Sequence, residues 1–156
     1  MNYNTLASGY DDLHRDEQVN KLQIIATELS ITPQTTVLDV GCGTGLSAAL
    51  NCAVVGVDTN EAMLQQCTFP AILASAEHLP FPTASFDIVI SLTMLHHVQN
   101  AQQAIQEMKQ VGKKHIVISL LRSSPRFEQL SAIITQELQV SKTIREKHDT
   151  LFFCEK

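Results

Sequence analysis

The chain is expected to fold as an α/β protein, a doubly wound and mostly parallel sheet of about seven strands. Three observations lead there. Strand-length apolar runs alternate with stretches of helical periodicity along the sequence. The run at residues 37–40 reads as apolar on both faces, as a strand buried between two helical layers must be. That run enters a glycine-rich turn, Gly41-Cys42-Gly43-Thr44-Gly45, and the next run, residues 53–58, ends in the carboxylate of Asp58. A turn stripped of side chains lets backbone N–H groups approach a ligand closely. A carboxylate at the tip of the neighbouring strand can accept hydrogen bonds from a ribose diol. Together they point to a nucleoside-containing cofactor at the edge of a parallel sheet.

Each element has its own signal. Leu22, Ile24, Ile25 and Leu29 recur at near-helical spacing and predict a helix over residues 17–30, broken by Thr32-Pro33. The glycine turn leaves room for only a short helix, residues 45–51, before the second strand. Residues 60–67 read as a helix capped by Thr59 or Asn60. Residues 71–74 form a short third strand, and Leu79-Pro80-Phe81-Pro82 a rigid loop, because two prolines exclude regular structure. Residues 86–91 are the fourth strand. Asn100 caps a helix to about residue 111, with Ala101, Ala104, Ile105 and Met108 on one side and Gly112 as its C-terminal stop. Residues 115–121 are the fifth strand. Ser124-Pro125 opens a last helix with Pro125 at its first position and an apolar stripe of Phe127, Leu130, Ile133, Ile134 and Leu138. Two strands around Lys147-His148-Asp149 finish the chain as an antiparallel hairpin. The 156 residues make one domain: an N-terminal cap segment and helix (1–30), a cofactor-binding core (35–121), and the last helix with its hairpin (122–156).

Composition excludes several functions. A net charge of −5 argues against a generally basic nucleic-acid surface, and the cluster Lys113-Lys114-His115 reads as a solvated loop. The four cysteines, Cys42, Cys52, Cys67 and Cys154, contain no C-x-x-C pair, so neither a zinc site nor a thioredoxin-like motif is expected, and the thiols suit a reduced, cytoplasmic protein. No metal site is expected: His14 and His148 have no partners at ligand spacing and read as surface residues. The N-terminus lacks the charged and apolar regions of a signal peptide, and no apolar run approaches the roughly 20 residues of a membrane helix.

The glycine spacing narrows the cofactor. A dinucleotide fingerprint is G-x-G-x-x-G, and its third glycine falls on Leu46 here. No Gly-Lys-Ser/Thr follows, which excludes a P-loop. Asp39, just ahead of the turn, would repel a pyrophosphate but attract the ammonium of an amino-acid moiety. Leu38-Asp39-Val40-Gly41-Cys42-Gly43-Thr44-Gly45 resembles the first motif of class I S-adenosylmethionine-dependent methyltransferases. Val57-Asp58, the stretch from Ala74 to Phe81, Ser85-Phe86-Asp87-Ile88-Val89 and Leu95-His96-His97-Val98 resemble later motifs, the last one that of the branch with ubiquinone/menaquinone-biosynthesis and tRNA-wobble-uridine methyltransferases.

The resemblance implies a Rossmann-like methyltransferase fold with an antiparallel C-terminal strand and S-adenosylmethionine as cofactor. It assigns Gly41, Cys42, Gly43 and Gly45 to the turn against the methionine and ribose, Asp39 to the amino group, and Asp58 to the ribose hydroxyls. Thr59 and Met63 flank the adenine, Ser75, Ala76 and Glu77 contact its edge, and Ser91 and Leu92 face the sulfonium. Ser75 stands where the family usually carries an aspartate.

A general base is required only if the acceptor is protonated, and His96 and His97 lie where one would act. Against this stands a packing role for one and a solvated cap role for the other. Tyr3 and Tyr10 are lid candidates, set against an ordinary frayed terminus. No Asn/Asp-Pro-Pro-Tyr/Phe motif follows the fourth strand and no Pro-Cys pair is present, which disfavours exocyclic base methylation and cytosine C5 chemistry. Nothing is inserted after the fifth strand to recognise an acceptor. The expectation is a methyltransferase acting on a small molecule, with RNA or protein acceptors second and an oligomer or partner chain completing the acceptor site. The alternative is a non-catalytic cofactor-binding subunit serving as activator or scaffold of a heteromeric enzyme. A dinucleotide oxidoreductase is a distant third.

Overall fold

A computed structural model describes the backbone of residues 3–156 and the side chains of residues 15–156. Helix α1 (Tyr3–Glu28) leads into β1 (Thr36–Val40), a 3-10 turn (Leu46–Leu50), β2 (Ala53–Asp58), α2 (Glu61–Leu64), β3 (Ala71–Leu73) and β4 (Phe86–Leu92). A second 3-10 turn (Leu95–His97), α3 (Ala101–Val111), β5 (Gly112–Leu121), α4 (Phe127–Glu137), β6 (Gln139–Arg145) and β7 (Asp149–Glu155) follow. The seven strands form one sheet in the order β3-β2-β1-β4-β5-β7-β6. Strands β1 to β5 pair in parallel, and β7 runs antiparallel between β5 and β6.

Both faces of the sheet are covered, which explains the two-sided apolar strands. On one face Leu38, Val40, Val89, Ile116 and Ile118 pack beneath Ala104, Ile105 and Met108 of α3 and Leu130 and Ile134 of α4. On the other, Val37, Ile88, Ile90, Val117 and Phe153 meet Leu22 and Ile25 of α1 and Leu50 of the 3-10 turn. The alternation of strand side chains sends neighbours such as Val37 and Leu38 into opposite layers.

Several expected boundaries move. Helix α1 begins at Tyr3 rather than near residue 17. Glu17 bonds His148 Nδ1 at 2.7 Å, Asn20 bonds Glu146, and Lys21 bonds Asp149 Oδ2 at 2.8 Å, so one helical face is clipped to the β6–β7 turn. Apolar periodicity carries no trace of such a seam. The element after the glycine turn is a 3-10 turn rather than an α-helix. Asn60 does cap α2, accepting from Met63 N at 3.1 Å, but the helix stops at Leu64 instead of running to residue 67. Gly112 does stop α3 as its C-cap, though not in a left-handed conformation. It is extended and opens β5, and the reason for glycine is close approach, since a Cβ there would lie 3.1 Å from Val89 and 3.3 Å from the Met108 carbonyl. Lys113, Lys114 and His115 therefore belong to a strand rather than a loop. Helix α4 begins at Phe127, not Pro125. Ser124 and Pro125 form the turn before it, with Arg126 N donating to Ser124 Oγ at 3.1 Å.

The Lys21–Asp149 pair is the buried member of the α1 seam, with side chains only 4% and 3% exposed. Lys21 Nζ also donates to Gln18 Oε1 at 2.9 Å and to Thr93 Oγ1 at 3.1 Å, and Thr93 Oγ1 donates to Asp149 Oδ2 at 2.6 Å. Burial alone would raise the Asp149 pKa. The bond to Lys21, the Lys21 charge and the Thr93 and Ser119 hydroxyls outweigh it and hold the carboxyl below its ordinary value. Lys21→Met should cost roughly 3–5 kcal/mol of stability, because it strands a buried carboxylate. Adding Asp149→Leu should recover most of that loss in denaturant unfolding, and equal destabilisation by the single and double variants would show that the pair is not the seam's energetic centre.

Candidate functional site

In this strand order the connections leaving β1 and β4 diverge to opposite sides, and the crevice at their carboxyl ends is where such folds bind ligands. A cleft of about 390 Å³ opens there. Its floor is the glycine turn. Gly41, at φ +83°, has no room for a side chain, because a Cβ would lie 2.3 Å from Met94 Cγ. Gly43, at φ +55°, faces Met63 of α2, with its ideal Cβ position 3.6 Å from Met63 Sδ. Both conformations favour glycine, and the turn presents bare backbone to the cleft.

The turn is tied to the end of β2. Gly41 N and Cys42 N donate to the Val57 carbonyl at 2.8 and 3.0 Å. Gly43 N donates to Asp58 Oδ2 at 2.8 Å, and Asn60 N donates to Asp58 Oδ1 at 2.9 Å. The Asp58 carboxylate is thus aimed by two backbone amides and retains lone pairs for a diol. Asp39 lies deeper, 5% exposed, and accepts from Ser47 Oγ at 2.6 Å. Burial pushes its pKa up to about 7 against the Ser47 bond, and the Asp58 charge adds to the rise.

Among the sequence candidates, Asp39, Gly41, Cys42, Gly43, Asp58, Thr59, Met63, Ser75, Ala76, Glu77, Leu92 and His97 all line this cleft. Gly45 does not; it packs behind the turn, its ideal Cβ position 3.0 Å from Cys67 Sγ and 3.3 Å from Phe69. Ser91 is fully buried and absent from the lining, since strand alternation turns it away from Leu92. Ser75 Oγ accepts from Glu77 N at 3.1 Å, so part of its acceptor capacity serves the loop. The side chains of Tyr3 and Tyr10 lie outside the described residues.

The two histidines separate. His96 Nε2 accepts from Leu121 N at 2.9 Å, which places the ring proton on Nδ1, a buried atom with no hydrogen-bond partner. His96 does not line the cleft, whereas His97 does. Burial lowers both histidine pKa values, and the Arg126 charge adds to this, so both rings are neutral near pH 7. Arg126 braces their turn by donating to the carbonyls of His96 and Val98 at 3.1 and 2.9 Å.

Sequence reasoning missed Gln18, Ser47, Thr93 and Met94, all of which line the cleft. Gln18 sits one helical turn before Leu22, and extending the α1 stripe backwards finds it. Thr93 and Met94 directly follow β4 at the switch point. Thr93 adopts φ +54°, and its N–H donates to Ser119 Oγ at 2.9 Å.

The raised pKa of Asp39 gives two pH dependences of opposite sign. An ammonium group beside Asp39 pairs with the charged carboxylate, so affinity for S-adenosylhomocysteine should rise from about pH 5 to pH 7, by up to roughly tenfold per unit, then level. Without ligand, a folded-state pKa above the unfolded value contributes stability that is full below about pH 4 and lost as pH rises through about 7. Asp39→Asn should flatten both profiles in calorimetry and thermal unfolding. A wild-type affinity independent of pH would remove Asp39 from contact with the ammonium.

Comparison with known proteins agrees with this geometry. Residues 38–118 match the family model for the methyltransferase domain. The chain is 30% identical over 152 residues to the ubiquinone/menaquinone biosynthesis C-methyltransferase of Ralstonia pickettii, covering 82% of this chain and 61% of that protein. It is 32% identical over 122 residues to the malonyl-[acyl-carrier protein] O-methyltransferase of Herminiimonas arsenicoxydans, covering 72% of this chain and 46% of that protein. The chain therefore spans about half to three-fifths of these relatives' lengths. A solved S-adenosylmethionine-dependent methyltransferase from Aquifex aeolicus superposes with a TM-score of 0.81 at 18% identity over 97% of both chains, a likeness of fold. The matched model, the relatives and the crevice between β1 and β4 together establish that this chain belongs to the class I methyltransferase-domain family, whose methyl donor is S-adenosylmethionine.

Proposed function

We propose that this domain transfers the methyl group of S-adenosylmethionine to a small-molecule acceptor. The observation that carries the reading is the convergence in one cleft of a side-chain-free turn and two carboxylates, Asp39 and Asp58, of which the second is pre-aimed by backbone amides. These residues fit the donor group by group. Asp58 suits the ribose diol, Asp39 the ammonium, and Met63 and Ala76 offer apolar surface to the adenine. When bound, the donor supplies a sulfonium-activated methyl group. The protein's contribution is then placement: it orients the partners and excludes water, which is worth more than added chemical activation when the leaving group is already good.

His97 is the proposed general base. It lines the cleft, and its lowered pKa keeps the ring neutral and able to take a proton near pH 7. His96 is the weaker candidate, because its Nε2 lone pair is committed to Leu121 N. Small molecules are favoured as acceptors because the chain is acidic and the two named relatives are, by name, a ubiquinone/menaquinone biosynthesis C-methyltransferase and a malonyl-[acyl-carrier protein] O-methyltransferase. A second reading, a cofactor-binding subunit without turnover, draws on the short link from β5 to α4, five residues with no acceptor-binding insertion.

Incubation with methyl-labelled S-adenosylmethionine and fractionated extract separates the readings: label in the metabolite fraction supports the proposal, label in RNA or protein redirects it, and no transfer despite tight donor binding favours the second reading. His97→Ala should lower turnover on the labelled acceptor by about 10²–10⁴-fold at unchanged donor affinity. Undiminished turnover would exclude His97 as a base.

A further inference from the structure

Two thiols meet behind the floor of the cleft. Cys42 Sγ and Cys67 Sγ are 3.9 Å apart, and both point at the Gly43 carbonyl oxygen, at 3.8 and 3.4 Å. Cys42 belongs to the glycine turn and lines the cleft, 7% exposed, while Cys67 follows α2 and is half-buried. The surroundings are full. A Cβ at Gly56 would lie 2.5 Å from Cys42 Sγ, and one at Gly45 would lie 3.0 Å from Cys67 Sγ. Packing, rather than chance rotamers, keeps the sulfurs facing each other.

We propose that Cys42 and Cys67 are an oxidative modification site, joined by a hydroperoxide into an intrachain disulfide that closes the cofactor cleft. The functional consequence rests on reading the cleft as the S-adenosylmethionine site. Cys67, the more accessible thiol, reacts first. Its sulfur takes one oxygen of the hydroperoxide, the O–O bond breaks, and water or an alcohol leaves, which gives the sulfenic acid. The Cys42 sulfur then forms the S–S bond, the S–O bond of Cys67 breaks, and the hydroxyl departs as water with the Cys42 proton. Two thiols lose two electrons and the peroxide bond takes them. The order follows from environment. Contact with Cys67 and burial hold the Cys42 thiol above its usual range, which makes it a poor first nucleophile toward peroxide.

Closure strains the site through α2. A disulfide places its sulfurs about 2.05 Å apart, so this pair must close by roughly 2 Å. Cys42 is held by its N–H on the Val57 carbonyl at 3.0 Å, so the displacement falls on Cys67. The Cys67 amide donates to the Leu64 carbonyl at 3.1 Å, so α2 follows. That helix carries Met63 over the space left open by Gly43, and its cap residue Asn60 supplies one of the two amides on Asp58. Drawing α2 toward the turn narrows the adenine side and disturbs the Asp58 clamp.

The test treats wild-type protein and Cys67→Ser with hydrogen peroxide, maps the cross-link by peptide mass, and measures S-adenosylhomocysteine affinity before and after, with dithiothreitol reversal. The expected result is a Cys42–Cys67 disulfide in wild type, an affinity loss on the order of tenfold or more, recovery on reduction, and no peroxide-induced loss in Cys67→Ser. Oxygen adducts without that cross-link overturn the site. A cross-link with unchanged affinity overturns the closure. The mass map judges the cross-link without any ligand, so failure of the reduced protein to bind S-adenosylhomocysteine would count against the cofactor reading alone.

Discussion

The functional half of this fold hangs on the Asp58 carboxylate. It ends β2, and it accepts from the amide of Gly43 in the turn after β1 and from the amide of Asn60 at the start of α2. Three segments that would otherwise part at the sheet edge are joined through one side chain. The arrangement also explains the demand for glycine next to it. The turn must bend back to reach Asp58 while passing beneath Met94 from the β4 side, and Gly41 clears that passage only because it lacks a Cβ. Under the proposed function, binding and folding draw on the same contacts: the carboxylate proposed to take the ribose is the one that holds the turn in shape.

This part of the molecule was the most legible in the sequence. Paired apolar strands, a glycine turn and a terminal acid are local signals, and β2, the Asn60 cap and the Asn100 cap fall where spacing places them. The resemblance of the 38–45 motif then separated a methionine-bearing nucleoside from a dinucleotide, which the glycines alone do not do. The illegible parts have a common physical cause, in that they depend on partners distant in sequence. The seam that Glu17, Asn20 and Lys21 make with the β6–β7 turn is polar and leaves no mark on the apolar periodicity of α1. Gln18 and Thr93 enter the cleft through a hydrogen-bond network that spans four elements. Ser91 and Leu92 are adjacent in sequence, and only the pleat decides that Leu92 alone faces the cleft. His96 and His97 look equivalent as a pair until the Leu121 amide claims one of them.

The seam between α1 and the hairpin links these two levels. Lys21 and Asp149 bear the cost of a buried ion pair, and in return the residue after β4 is held in a left-handed conformation with its side chain engaged on both sides. Thr93 stands between Leu92 and Met94, so the seam sets the wall of the cleft opposite the glycine turn. The cofactor half of the site rests on short-range geometry around Asp58. The wall at Thr93 rests on long-range docking of the N-terminal helix.

The proposed function requires that Asp58 take a ribose diol while Asp39 faces the amino-acid end of the same ligand. A crystal structure of the complex with S-adenosylhomocysteine tests it most directly. Both ribose hydroxyls should lie on the Asp58 carboxylate, the ammonium on the Asp39 side of the glycine turn, and the sulfur beside Leu92. A ligand bound elsewhere, or in this cleft with its ribose away from Asp58, would contradict it.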